Sequence, residues 1–340
     1  MPKLLTSIVV ILLAALSIER AHAQTSEDVD IEIYGRAHLS LDQLGDGESS
    51  GLNVSSNLSH LGFRGDYDIN QDYEVFFQIE QLIRYGQRGS ELASRDSFAG
   101  IRSDMGSVRI GYFEPPGTTL RSRVDMFNSR IGDARNIASG NNMAFDVRFR
   151  NGIHYTSPTL QGFTFDLQYT PHDDTGPTVS NDQEGLSARV TYTTDALYLG
   201  LAYQEYEEFA LTPQAWRLGM EYSFSSSWMM TGYYQRAEQL EGGPRDVYGV
   251  GLAYLFGDYA LRSQWYTSSA NNDPNTGASM WVVGLDRRFT RRFSGYLVYG
   301  LTDNEPAADF SVSAGGRDTG LTPLLGETAT ALSLGMIFNF

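Results

Sequence analysis

The sequence has 340 residues, no cysteine, 20 tyrosines, 18 phenylalanines and a formal net charge of −16. The lack of cysteine excludes a disulfide scaffold, thiolate metal sites and cysteine nucleophiles. The excess of acidic residues argues against nucleic acid as a partner, because phosphate binding needs a basic surface. So many aromatic residues suit sheets with one apolar face better than a helical bundle.

The N-terminus has the organisation of a secretory signal peptide. Lys3, the only lysine, is followed by an almost wholly apolar stretch at residues 4–16 and by a small-x-small cleavage site at residues 21–23. The apolar stretch falls short of the roughly 20 residues that a membrane-spanning helix needs. We therefore predict a signal peptide at residues 1–23 and a single mature domain at residues 24–340, in which arginine supplies every strong positive charge.

The mature chain consists of segments of about ten residues that each keep one apolar and one mixed face. In residues 29–42, for example, Ile31 and Ile33 alternate with Glu32 and Tyr34. The alternation recurs at residues 73–84, 163–170, 197–206, 216–224, 259–267, 293–301 and 332–340. The connections between these strands alternate between short turns and long polar segments, as in outer-membrane barrels. We predict an all-β, antiparallel transmembrane barrel of about sixteen strands, a size that leaves an aqueous channel.

A long irregular segment at residues 113–143 interrupts this alternation. It carries Pro115, Pro116 and Gly117 near its start, and strand alternation resumes near Val147. An insertion of this length within a strand-rich domain is usually functional or disordered. We expect the flanking strands to hold it as a loop that shapes a pore.

Short motifs occur in order along the mature chain: Ile-Tyr-Gly-Arg at 33–36, Ser-His-Leu-Gly-Phe-Arg-Gly at 59–65, Val-Phe-Phe-Gln-Ile-Glu at 75–80 and Arg-Asn-Gly-Ile-His-Tyr-Thr-Ser-Pro at 150–158. The sequence ends with Phe338 and Phe340 in an alternating apolar strand. In these stretches it resembles the Gram-negative general-diffusion porins. The resemblance implies a homotrimer in the outer membrane whose third loop folds into the lumen as an eyelet. It also implies that Phe338 and Phe340 form the signal for the outer-membrane barrel assembly machinery.

Arginine dominates the predicted inner wall. If the apolar face meets lipid or a neighbouring subunit, the opposite face must carry the arginines, since each would cost about 2–4 kcal/mol near the midplane of the lipid face. We predict that the constriction combines wall arginines with acidic residues of the inserted segment. These residues are Arg36, Arg64, Arg84, Arg102, Arg109, Arg148, Glu114, Asp125 and Asp133. Alternatively, the acidic residues form salt bridges that only pin the loop.

Charged rings set ion preference in pores, so an arginine-rich wall predicts a weak preference for anions. The expected function is passive diffusion of small hydrophilic solutes and ions. A channel selective for carboxylates, phosphate or sugars is the alternative, and a non-conducting structural or adhesive barrel is the third possibility. Carboxylates in the outer loops could bind lipopolysaccharide through divalent cations.

Enzymatic function is not expected. The mature histidines His38, His60, His154 and His172 belong to no nucleophile-elbow or metal-spacing motif. The sequence therefore predicts no catalytic residue, no cofactor and no resident metal.

Overall fold

The computed structural model describes residues 30–86, 95–140, 143, 145–172, 183–207 and 211–340. The predicted signal peptide at residues 1–23 lies outside this part of the chain. Within it, no helix is both long and apolar enough to cross a membrane.

Antiparallel strands make up most of the described chain. They are β1 Asp30–Gly45, β2 Ser50–Ser56, β3 His60–Asp68, β4 Glu74–Leu82, β5 Ser97–Ser103, β6 Gly106–Phe113, β7 Phe149–Thr156, β8 Phe163–Thr170, β9 Gly185–Thr193, β10 Leu197–Tyr206, β11 Gln214–Ser223, β12 Trp228–Glu238, β13 Arg245–Phe256, β14 Tyr259–Ser268, β15 Ala278–Arg288, β16 Phe293–Asn304 and β17 Ala329–Asn339. All belong to one sheet in which each strand pairs with the next in sequence, except for β2 and β3, so the other connections are simple hairpins.

The sheet closes into a barrel of sixteen membrane-crossing strands, as the alternation predicts. β1 pairs with β17 from Arg36↔Asn339 to Gly45↔Thr330, which leaves no free edge. β2 and β3 both pair with β1, one with each half, and together they take the place of one crossing strand. The break between them falls at Leu58, whose φ of 54° interrupts the extended backbone.

Burial confirms which face of the strands points outward. In β1, Ile31 and Ile33 are exposed, whereas His38, Ser40 and Asp42 are buried in the lumen. The same alternation of exposed apolar and buried or polar positions continues around the barrel. The apolar belt is thus on the outside and the polar residues are inside, as a water-filled transmembrane barrel requires.

The connection from β6 to β7, residues 114–148, is named L3, and it lies inside the barrel. The sequence predicts an irregular segment here, whereas L3 contains two helices, α1 Pro116–Val124 and α2 Arg135–Ala138. Pro116 takes the first helical position, where its fixed φ favours the helix and its missing N–H breaks no hydrogen bond. Leu120 and Val124 follow four residues apart and are fully buried, so α1 packs one apolar face against the wall.

Glycines in the wall make room for this face. Gly200 of β10 pairs with Gly219 of β11, and a Cβ atom at either position would come within 2.8 Å of a Leu120 δ-carbon. Gly251 and Gly284 similarly allow L3 to approach β13 and β15. The inner wall is therefore flat on this side, and L3 lies directly against it.

Three buried glutamines of the wall bond the backbone of L3. The side-chain amide of Gln204 donates to the Phe145 carbonyl at 2.7 Å, that of Gln235 to the Ala138 carbonyl at 2.9 Å, and that of Gln264 to a third L3 carbonyl at 2.6 Å. Backbone groups buried without partners would be costly. L3 is consequently fixed to the β8–β15 side, and the opening lies between it and the opposite wall.

The last long loop, residues 305–328 and here named L8, also folds inward. Phe310 and Val312 are buried, and the Val312 carbonyl accepts a hydrogen bond of 2.7 Å from the Gly132 N–H in L3. Further along, Arg317 forms a buried ion pair with Asp42 on β1. L8 thus joins the tip of L3 to the β1 wall and narrows the mouth on the long-loop side.

Candidate pore constriction

Three arginines from separate elements meet beside the opening. Arg36 projects inward from β1, Arg95 precedes β5, and Arg130 lies in L3. Arg130 stacks on Tyr296, whose hydroxyl contacts His38 beside Arg36. Arg95 pairs with Glu80 next to His60, the residue opposite Arg36 on β3. This group is named the arginine cluster.

Arg36 is the least neutralised member of the arginine cluster. Nη2 of Arg36 lies 3.4 Å from Nδ1 of His38. Nε of Arg36 is buried and has no hydrogen-bond partner among the described residues. Within that part of the chain no carboxylate lies within ion-pair distance of it. His38 is itself held by Tyr296, whose hydroxyl lies 2.8 Å from Nε2. The guanidinium is therefore positioned but not balanced by an anion of the described residues.

The other two arginines have carboxylate partners. Arg95 pairs with Glu80, which also lies 3.6 Å from Nε2 of His60 and accepts a hydrogen bond from Tyr34. Arg130 Nη1 lies 2.5 Å from Asp286, and its guanidinium stacks on the Tyr296 ring. Asp286 is shared with Arg262 at 2.6 Å. Around the opening, four arginines thus share two carboxylates, which leaves a positive excess.

Two predicted constriction residues, Arg64 and Arg102, lie instead in a wider region toward the short-turn rim. Arg64 pairs with Glu32 at 2.6 Å, and both side chains are more than half exposed. Glu32 precedes Arg36 by four residues on β1, which is roughly 13 Å along the strand. Arg102 pairs with Glu74. These arginines border a cavity of about 580 Å³ and are largely neutralised there.

Arg109 and Arg148 face the lumen but are engaged in other contacts. Nε of Arg109 donates to Nδ1 of His154 at 2.9 Å, and its guanidinium stacks on Phe98 and Phe113. Arg148 bonds Asp96 at 2.6 Å and Glu114 at 2.8 Å. Glu114 therefore fixes the base of L3 against Arg148.

The placement of Arg84 corrects one prediction. The alternation suggests a strand through residue 84, but β4 ends at Leu82 and Arg84 is exposed in the long connection that follows. Its side chain does not join the arginine cluster. The strand ends earlier because the chain turns into the loop, which alternation in the sequence does not show.

The predicted acidic face of the loop also needs correction. The side chains of Asp125 and Asp133 are fully buried beneath L3, so they do not line the opening. Arg121 lies between them, with Nη1 at 3.1 Å from Asp125 and 3.4 Å from Asp133, and its Nε is 2.9 Å from Asp146. For these two residues the alternative of salt bridges that pin the loop matches the geometry.

Two of the buried aspartates of L3, Asp125 and Asp133, lie outside the membrane-spanning strands and titrate differently. Burial, together with the neighbouring charge of Asp133, raises the pKa of Asp125 to about 7. Burial would also raise the pKa of Asp133, but Arg135 and Arg121 hold it below its usual value. Arg135 does so through a contact of 2.7 Å to Asp133. Ionised Asp133 is thus the tighter anchor of the loop.

Sequence reasoning missed Arg95, the contribution of Arg130 to the opening, and L8. Arg95 lies beyond the predicted strands, so its inward position has no periodic signal. A signal did exist for L8, because Phe310, Val312 and Leu321 are apolar residues within an otherwise polar loop. Among the described residues, no group of three or more histidine, aspartate or glutamate side chains could hold a metal ion.

Comparisons with known proteins agree with this architecture. The family profile described as Gram-negative porin matches residues 7–307. The major outer membrane protein P.IB of Neisseria gonorrhoeae is 24% identical over 347 aligned residues, covering 90% of this chain and 96% of that protein. Chitoporin of Vibrio furnissii is 27% identical over 200 residues, covering 55% of this chain and 54% of that protein.

Solved structures show the same fold at low identity. The anion-selective porin from Comamonas acidovorans has a TM-score of 0.79 and 20% identity, covering 92% of this chain and all of that one. The trimer form of in-vitro folded OmpT from Vibrio cholerae has a TM-score of 0.72 and 14% identity, with coverage of 92% and 100%. With a sixteen-stranded barrel, an inward-folded L3 and a family match over most of its length, the chain belongs to the Gram-negative porins and is a diffusion channel of the outer membrane.

Proposed function

We propose that this porin is a general diffusion channel whose opening favours small anions over cations. The observation that carries the proposal is the arginine cluster, in which Arg36 has no carboxylate partner among the described residues. The interaction energy between one unit charge and an ion 4 Å away is about 1 kcal/mol in water and about 4 kcal/mol at an effective dielectric constant of 20. A narrow wet pore lies between these limits. The arginine cluster can therefore bias permeability by about an order of magnitude.

The burial of the L3 acids strengthens this proposal. Sequence reasoning expects Asp125 and Asp133 to oppose the wall arginines across the opening and to weaken anion preference. Their charges are instead compensated by Arg121 and Arg135 beneath the loop. The opening thus keeps its positive excess. The similarity of fold to a Comamonas acidovorans porin described as anion-selective is consistent with this.

A sugar-selective channel is the second candidate, and the similarity to a chitoporin motivates it. Sugar passage along a wall would use exposed aromatic faces. The lumenal rings of Phe76 and Phe98 are covered by the guanidinium groups of Arg102 and Arg109 at 4.7 and 4.6 Å. Most other exposed aromatic residues lie on the outer surface. The lining therefore favours small ions over sugars.

Assembly and partners complete the proposal. We infer a homotrimer, in line with the trimer form known for OmpT, with Ala37, Leu39, Ala99 and Ile101 on the outward faces of β1 and β5 available for subunit contact. Lipid, lipopolysaccharide and the barrel assembly machinery are the other expected partners. As a channel protein, it is expected to catalyse no reaction and to need no cofactor.

The selectivity proposal is tested in planar bilayers with a salt gradient. The wild-type channel should give a zero-current potential of the sign for anion preference. Arg36→Glu should lower the anion-to-cation permeability ratio by about an order of magnitude, since it replaces an unbalanced positive charge with a negative one. Arg64→Glu is the matched control, because Arg64 is paired and lies in the wide region.

Two outcomes would contradict the proposal. One is a wild-type channel that prefers cations. The other is an equal shift for the Arg36 and Arg64 variants, which would mean that overall lumen charge, rather than the arginine cluster, sets selectivity. Each variant is first checked for the wild-type oligomer and for open-channel conductance.

A further inference from the structure

The short turn between β15 and β16 concentrates positive charge on an otherwise acidic protein. Four of the 25 lysine and arginine residues of the sequence lie in the six residues 287–292: Arg287, Arg288, Arg291 and Arg292. All four are exposed. Short turns mark the periplasmic rim of an outer-membrane barrel. This turn therefore lies at the level of the headgroups of the periplasmic leaflet.

Arg287 differs from the others because it points toward lipid. It continues the outward row of β15, in which Trp281, Val283 and Leu285 are 55%, 46% and 41% exposed. Its guanidinium stacks on Tyr259 at 5.5 Å and on Phe289 at 4.8 Å. Aromatic rings at this depth sit at the membrane interface and hold a cation there. An anionic group at this depth would lie next to the Arg287 guanidinium.

The residues that the structure describes supply no such anion for most of the turn. Arg288 has Asp258 at 3.7 Å, but both side chains are about two-thirds exposed, so the pair contributes little. For Arg287, Arg291 and Arg292 no carboxylate lies within ion-pair distance in the described ranges. A guanidinium binds a phosphate through two parallel hydrogen bonds, which suits it to an external phosphate group.

The surface beside Arg287 offers an apolar track for acyl chains. The residue opposite Arg287 on β16 is Gly295, and its lack of a side chain lets the Phe289 ring lie close to the β16 backbone, since a Cβ atom there would be 3.3 Å from Cε2 of Phe289. One rung further into the membrane, leucines stand side by side on four adjacent strands and are all exposed: Leu261, Leu285, Leu297 and Leu334.

We propose that Arg287, with the rings of Tyr259 and Phe289, forms a binding site for the phosphate of an anionic phospholipid in the periplasmic leaflet. Arg287 bonds the phosphate, and the leucine row contacts the acyl chains. Arg291 and Arg292 at the tip of the turn favour a headgroup with net negative charge over a zwitterionic one. A soluble acidic partner would match the charges but leave the leucine row unused.

Lipid binding at this site is measured by native mass spectrometry of the purified protein. The retention of added phosphatidylglycerol is compared with that of added phosphatidylcholine. The wild type should retain phosphatidylglycerol preferentially. Arg287→Gln should reduce that retention about 10-fold, the effect of losing one charged hydrogen bond. Arg288→Gln is the matched control, because it removes the same charge from the adjacent residue on the other face of the strand.

Equal losses for Arg287→Gln and Arg288→Gln would overturn the site and indicate general charge attraction. Equal retention of the two lipids by the wild type would also overturn it, and so would charge-dependent capture of soluble acidic peptidoglycan fragments without a lipid preference. Oligomeric state and channel conductance verify folding, since none of these substitutions lies near the opening.

Discussion

Asp125 and Asp133 lie in one buried network but should respond to pH in opposite ways. Asp125 has its folded-state pKa raised from 3.8 to about 7, so between these values the folded protein binds more protons than the unfolded chain. Its contribution to the free energy of unfolding therefore falls as pH rises through this interval. Asp133 has a lowered pKa, so its contribution is present above pH 3.8 and is lost as pH falls further.

Asparagine substitutions separate these two effects. Asp133→Asn should lower the free energy of unfolding at pH 7 by about 3 kcal/mol, because it leaves Arg135 without its ion partner and removes one carboxylate from the fully buried Arg121. Asp125→Asn should cost less at pH 7 and should flatten the pH dependence between pH 5 and 8. The measurement is the midpoint of denaturation in detergent across this pH range. A larger loss for Asp125→Asn at pH 7 would contradict the assignment.

The orientation of single residues could be predicted from the sequence, but their depth and partners could not. Alternation correctly directs Arg36, Arg64 and Arg102 into the lumen, since a strand allows only two faces. Depth depends on the register between strands and on where L3 touches the wall, and both are long-range properties. Arg36 and Arg64 therefore look equivalent in the sequence, although only Arg36 reaches the opening.

At the scale of elements, L3 is held by a complementary wall rather than by its own helices. α1 has nine residues, too few to be stable alone in water. Its position depends on Leu120 over Gly200 and Gly219 and on glutamines that bond the L3 backbone. The Pro115-Pro116 pair could have predicted a helix start. The surface against which α1 packs could not be predicted. In the sequence, glycines that face a loop across the lumen cannot be distinguished from glycines of turns or bulges.

A valine at Gly219 should displace L3 into the opening. The added Cβ would lie 2.8 Å from Leu120, and overpacking of this kind costs about 1–3 kcal/mol. Single-channel conductance should fall in Gly219→Val and recover when Leu120→Ala removes the opposing carbons. Gly232→Val is the control, because the nearest atom to its Cβ would be 3.7 Å away. Unchanged conductance in Gly219→Val would show that L3 is not seated on this glycine.

On the scale of the whole molecule, the closed barrel follows from the sequence because the same period-two pattern extends to the last strand. The inward fold of L8 does not follow, since its contacts with L3 and β1 join positions about 180 and 275 residues apart. L8 and L3 together limit the opening from two directions. The barrel thus forms the channel and contributes Arg36 to the arginine cluster, and L3 contributes Arg130.

The last strand completes the barrel, and we expect Phe340 to be decisive for assembly. Its backbone N–H and carbonyl each form a hydrogen bond of 3.0 Å with Gly35, beyond the end of β17. Its ring is 43% exposed on the outer face, 5.8 Å from that of Phe338. Deleting Phe340 removes both bonds and the terminal aromatic at the seam. Unheated electrophoresis of outer membranes should show much less of the species near three times the monomer mass. Phe340→Tyr is the control, since it keeps the bonds and an aromatic ring, and its trimer should stay near the wild-type amount. A normal trimer yield after the deletion would mean that closure and assembly do not depend on this residue.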